Sequence, residues 1–196
     1  MISLYLGLAA FALYLIYDVN SFTRQVKFVH SFFMIGTGLI GIATVMDLWD
    51  AWKAGAFSGI GDVALLAGAA VCFGALIYCL FFALPFEETY QEQNTEKHVY
   101  SGGAYALCRH PGILCFFGTY LFLGLAALPM GMIVNGMVFS FLNLLYAWFQ
   151  DRVTFPKTFC DYSEYQKTVP FLIPTKASIR MAGRTLFPSD SEEDVP

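Results

Sequence analysis

Five stretches of the chain carry no charged side chain: Ile2–Tyr17, Val29–Met46, Val63–Pro85, Gly112–Leu128 and Met130–Gln150. A bilayer core about 30 Å thick is crossed by roughly 20 apolar residues in helical form, so each run predicts one membrane-spanning helix. The first, second and fourth runs are short, so interfacial residues complete them or the bilayer thins locally. As buried helices of a water-soluble domain, five such runs would leave too little polar surface to cover them. The expected fold class is all-α: a polytopic membrane helix bundle of about five transmembrane helices with a cytoplasmic C-terminal helical segment. Residues 1–187 form one domain on this reading, and the acidic stretch 188–196 a disordered tail.

Composition points the same way. Of 196 residues, 57% are hydrophobic and 13% charged, against about 45–50% and about 25% in an ordinary soluble domain. The net charge is −4, with no basic block and no zinc-ligand spacing. Nucleic acid is therefore excluded as an expected partner, and no metal site is expected; membrane lipids are the expected surroundings. No Lys or Arg precedes Arg24, so the first run reads as a span and not as a signal peptide. The first loop carries Arg24 and Lys27, the third Lys97 and Arg109, and the region after the fifth run Arg152, Lys157, Lys167, Lys176, Arg180 and Arg184. Alternating the loops puts all but Lys53 of the 11 basic residues on one side. The positive-inside rule makes that side cytoplasmic, with the N-terminus outside and the C-terminus in the cytoplasm.

Small residues suggest where helices approach closely in lipid. Gly36, Gly38 and Gly41 lie in the second run, Gly68, Ala70, Cys72 and Gly74 in the third, and Gly136 and Ser140 in the fifth. The five cysteines form no CxxC pair and suggest no disulfide framework; four of them lie in or at the edge of spans, where Cys acts as a small hydrophobe. Asn143, Tyr146 and Gln150 share one helical face. That stripe fits interhelical hydrogen bonding, and equally the wall of a polar pocket opening to the cytoplasm.

Candidate chemistry gathers at two places. Before the fourth run the chain reads Tyr100-Ser-Gly-Gly-Ala-Tyr105-Ala-Leu-Cys-Arg109-His110-Pro111. A Gly102–Gly103 turn precedes an aromatic and a basic pair, and Pro111 suits the first helical position. Free N–H groups at that helix start, with Arg109 and His110 beside them, make an anion site at the membrane surface; the same pair also fits simple headgroup anchoring. After the fifth run comes Asp151-Arg152, then an aromatic segment with Phe155, Phe159, Tyr162 and Tyr165, and finally Val169-Pro-Phe-Leu-Ile-Pro174. Pro156 must kink or restart its helix. Taken alone, this segment fits an interfacial helix. His30 and His98 read as interfacial residues, with His98 also near enough to Tyr100 to approach the same pocket.

Together the two patches resemble the isoprenylcysteine carboxyl methyltransferase family and the related phospholipid methyltransferases. Gly103, Tyr105, Arg109, His110 and Pro111 fall in register with that family's turn and Arg-His-Pro motif, Asp151 with the first residue of its Glu-Glu pair, and Phe159, Tyr162, Tyr165 and Val169 to Pro174 with its ending. The resemblance covers about residues 102–174. Ala104, Ile113, Arg152 and Cys160 stand where the family has Pro, Tyr, Glu and Gly.

The resemblance implies a membrane methyltransferase that uses S-adenosyl-L-methionine on the cytoplasmic side and takes a lipophilic methyl acceptor between its helices. It implies cofactor binding by Gly103, Tyr105, Arg109, His110, Pro111, Tyr162 and Tyr165. It also implies a catalytic position at Asp151; Arg152, which departs from the family's second acid, is read as a second catalytic position that orients an anionic acceptor. Two rivals stay open: a non-catalytic bundle derived from the same family, and an NADPH-dependent, steroid-reductase-like membrane enzyme.

Overall fold

The computed structural model describes residues 1–57, 59–83, 97–127 and 130–186. These form α1 (Ile2–Phe22), α2 (Ser31–Lys53), α3 (Ile60–Phe81), α4 (Ala104–Leu107), α5 (Pro111–Ala127), α6 (Met130–Phe149), α7 (Phe155–Thr158), α8 (Tyr162–Thr168) and α9 (Lys176–Leu186). A 3-10 turn at Lys27–His30 leads into α2, and a π turn at Gln150–Thr154 joins α6 to α7. No strand occurs among the described residues. The protein is a helical membrane bundle. Four helices, Ile2–Phe22, Lys27–Lys53, Ile60–Phe81 and Met130–Thr158, are long and apolar enough to cross a bilayer. The fifth apolar helix, Pro111–Ala127, has 17 residues. Met34, Ile42, Val71, Phe117, Met137 and Phe141 stand more than half exposed on the outer faces, an apolar surface that lipid covers. Residues Glu87, Glu88 and the 188–196 stretch lie outside the described residues.

Two helices overrun the limits set by their uncharged runs. α1 continues past Tyr17 to Phe22 and α2 past Met46 to Lys53, so each takes in an acid, Asp18 and Asp47, and buries it. Charge marks the end of an apolar run but not the end of a helix, because a carboxylate can stay inside the bundle when a neighbour supplies donors. Asn135 donates to Asp47 Oδ2 at 2.7 Å and to Ser3 Oγ at 2.9 Å, tying α6 to α2 and α1. Thr154 donates to Asp18 Oδ2 at 3.4 Å at the opposite end. α1 ends where Asn20 folds its side chain over the turn, bonding both the N–H and the C=O of Val26.

Close packing runs along small residues. A Cβ at Gly68 would meet the Phe122 ring at 3.1 Å and one at Gly118 the Cys72 sulfur at 2.8 Å, so the glycines let side chains of α5 and α3 press against the facing backbone. Gly36 lets Tyr14 of α1 approach α2, and Gly136 does the same for Tyr120 between α5 and α6. Gly38 and Gly74 face open space and take no part. The pairs in intimate contact are α3–α5, α1–α2, α5–α6 and α1–α6. By contrast α2 and α3, consecutive in the chain, scarcely touch. The space between them is a cavity.

The π turn has a local cause. Pro156 has no N–H to donate to the Arg152 carbonyl, and its ring clashes with that position of a regular α-helix. The widened turn accommodates it, and the chain then restarts as α7 with the proline in its first turn. Phe155, Phe159 and Tyr162 stack around the restart, with Phe155–Tyr162 centroids 5.4 Å apart and Phe155–Phe159 centroids 5.9 Å apart. With Tyr165, Val169 and Val99 they form a second small core at this end of the bundle.

Candidate functional site

The Arg109 knuckle and the segment after α6, 42 residues apart in sequence, meet at Asp151. Arg109 donates through Nε to Asp151 Oδ1 at 2.8 Å and through Nη2 to Oδ2 at 3.1 Å, a two-pronged pair. Its Nη1 donates to the carbonyls of Gln166 and Val169, at 2.9 and 2.8 Å. The Tyr162 hydroxyl donates to Asp151 Oδ1 at 2.7 Å, and Gln166 Nε2 to the Asp151 carbonyl and Oδ2. The Arg109 backbone N–H also binds the Pro170 carbonyl at 2.9 Å. Every polar atom of this pair is used, and the Asp151 side chain is only 3% exposed. Burial first, and the Asp151 carboxylate second, push the Tyr162 hydroxyl well above the usual phenol range, so it remains a donor at any physiological pH.

The turn that leads to the knuckle needs its glycine. Gly103 has φ +56°, a left-handed conformation that side-chain-bearing residues resist, and its N–H is held by Thr185 of α9 at 3.0 Å. α9 begins with a reciprocal cap between Thr175 and Ser178 and packs on α4. Tyr105 donates to the Cys79 carbonyl at 3.0 Å, fixing α4 to the end of α3. Tyr165 in turn donates to the Tyr105 carbonyl at 2.6 Å. Cys108 is fully buried, and burial pushes its thiol up to about 11, which leaves it inert.

The cavity between α2 and α3 reaches this knot. It measures 840 Å³ and is walled mainly by apolar side chains of α1, α2, α3, α5 and α6. At one end its lining turns polar and aromatic, with Tyr105, Arg109, His110, Gln150 and Phe155. Asn143, Tyr146 and Gln150 all line it, so the stripe on α6 is a pocket wall. His110 is the more loosely held member of the basic pair. Its ring stacks on Phe155 and meets Phe171 edge-on, and its Nε2 is buried, 3.6 Å from Asp151 Oδ1 and without a hydrogen-bond partner. The Tyr146 hydroxyl is likewise buried, and its polar neighbour is the Asp18 carboxylate.

The anticipated site residues thus divide. Tyr105, Arg109, His110 and Pro111 line the cavity. Gly103, Asp151, Tyr162 and Tyr165 do not; they build the scaffold behind it. Arg152 is exposed and lies off the cavity wall, so an acceptor held inside would not meet its guanidinium. The expectation that Arg109 supplies donors to a ligand also shifts, because its guanidinium is spent on Asp151 and two carbonyls. Gln166 was not anticipated: a lone Gln after Tyr165 gives no signal until the fold brings it to Asp151. No protein-family model, curated protein or solved structure matches the chain.

Proposed function

We propose that the protein is an S-adenosyl-L-methionine-dependent membrane methyltransferase acting on a lipophilic acceptor, an isoprenylcysteine carboxylate or a related lipid or small molecule. One observation carries the reading: a single cavity joins an apolar chamber inside the bundle to a polar, aromatic mouth lined by Tyr105, Arg109, His110 and Gln150. Its volume lies towards the top of the roughly 300–1,000 Å³ range of small-molecule sites, enough for a polar ligand and an apolar chain side by side. The thin α2–α3 contact supports lateral entry of that chain from the bilayer.

When bound, the cofactor would supply an electrophilic methyl group. His110 Nε2 would donate to its carboxylate, and the Tyr105 and Phe155 rings suit its sulfonium. The Arg109–Asp151–Tyr162 knot positions His110 and closes that end against water, since methyl transfer depends on alignment and exclusion of solvent. The reductase alternative has less support. Arg109 is the one Lys or Arg among the described lining residues, and its guanidinium is not free for a phosphate.

The test is ligand-dependent melting of the detergent-purified protein. S-adenosylhomocysteine at 100 times its dissociation constant is expected to stabilise the chain by about 2.7 kcal/mol, and NADPH not at all. His110→Phe, which keeps a ring packed on Phe155 and Phe171, should lose the shift. Stabilisation by NADPH alone would replace this reading with reduction, and silence to both would leave a lipid-binding bundle. We also propose that the knuckle end and the C-terminus face the cytoplasm. A C-terminal tag is then expected to be protected in sealed cells and accessible after lysis; a tag accessible in intact cells reverses the orientation.

A further inference from the structure

Beside the knot, on the exposed face of the second small core, three metal-ligating side chains converge. His98 precedes the knuckle by eleven positions, and Cys160 and Asp161 lie between α7 and α8. His98 Nδ1 is 3.2 Å from Asp161 Oδ2 and 3.5 Å from Cys160 Sγ, and the three ligand atoms all lie within 4.8 Å of one another. We propose that Cys160, His98 and Asp161 form a binding site for a zinc-type divalent metal ion with an open fourth position.

Two edges of the cluster have the lengths a metal centre requires. Tetrahedral zinc bonds of about 2.3 Å to sulfur and about 2.0–2.1 Å to nitrogen and oxygen place sulfur roughly 3.6 Å from nitrogen, and nitrogen roughly 3.4 Å from oxygen. The two edges at His98 Nδ1 match these to within about two tenths of an ångström, and the sulfur–oxygen edge lies within 4.8 Å. The same geometry speaks against a Cys-His-Asp nucleophile. A relay needs the thiol on one ring nitrogen and the carboxylate on the other. Here both face Nδ1, while Nε2 is 3.9 Å from the sulfur.

The backbone prepares the site. Cys160 N–H binds the Lys97 carbonyl at 3.1 Å, and Val99 N–H binds Asp161 Oδ1 at 2.9 Å. Two strips of chain are thereby laced together, and the carboxylate is oriented with Oδ2 left over, the kind of outer hydrogen bond that steadies metal ligands. All three residues reach solvent, so an ion can enter and water can fill the fourth position. Binding would displace the thiol proton to solvent as the thiolate–metal bond forms. The ion would clamp the approach to α4 onto the start of α8, the helix that carries Tyr162 to Asp151. This site is independent of any methyl-transfer activity.

The probe is cobalt(II), added to full-length protein purified in detergent with a histidine-free tag. One equivalent is expected to bind and give the near-ultraviolet thiolate-to-cobalt charge-transfer band. That band should vanish in Cys160→Ala. His98→Ala should need at least about tenfold more cobalt to reach the same band. Cys160 is the one exposed cysteine, so its maleimide labelling gives a second readout. Zinc should slow labelling in the wild type and leave it unchanged in His98→Ala at the same concentration. Absence of the band in the wild type, or its persistence in Cys160→Ala, overturns the proposal, as does zinc protection that survives in His98→Ala.

Discussion

Asp151→Ala is expected to destabilise the protein by about 3–5 kcal/mol, the cost of leaving a buried charge without its partner. The Arg109 side chain is 10% exposed, and no other carboxylate pairs with it among the described residues. The lost carboxylate also strands the Tyr162 hydroxyl and one bond from Gln166. Asp151→Asn keeps one acceptor oxygen, turns the other into a donor and removes the charge, and should fall between wild type and alanine. The decisive comparison is a double-mutant cycle with Arg109→Leu, read from unfolding midpoints in detergent. Two groups in one network do not add. The double variant should be less destabilised than the sum of the singles, because removing both charges abolishes the uncompensated one. Additive losses would mean that the pair contributes nothing as a pair. The knot would then not be what orders this end of the bundle.

The second large effect lies at the centre of the membrane-spanning part. Gly7 of α1 faces Phe139 of α6 so closely that an added Cβ would overlap the ring edge. Phe139 is fully buried, packed edge-to-face on Tyr120 at 5.8 Å and tilted against Phe11 at 6.5 Å, so its ring has nowhere to swing. Gly7→Ala is therefore expected to cost about 1–3 kcal/mol through overpacking. Phe139→Leu vacates the contested space. In that background Gly7→Ala should become nearly neutral, and melting of the four proteins in detergent tests the pair. An equal loss in both backgrounds would place the origin of the effect outside the α1–α6 contact.

The folded chain also explains why two acids sit where apolar runs stop. Asp18 and Asp47 end the uncharged stretches, yet neither ends its helix. Asn135 reaches Asp47 across 88 residues, and Thr154 reaches Asp18 across 136. A rule that reads charge as a boundary cannot see partners at that separation.

Local pattern was enough for the elements and for the existence of the bundle. Apolar runs of spanning length have one stable form in lipid, since every backbone N–H and C=O must be bonded within the segment. The Gly103 turn, the Pro111 helix start and the interruption at Pro156 were equally legible, because each depends on the conformation of one residue and its immediate neighbours. Which residues face one another was decided only in three dimensions. Arg109 is bound to Asp151 and turned from a ligand donor into a brace, His110 is left with a free nitrogen, Arg152 points away, and His98 meets Cys160 and Asp161. These outcomes depend on the rotation of each helix about its own axis and on the opening between α2 and α3. Packing of small residues sets both, and neighbours along the chain carry no record of it.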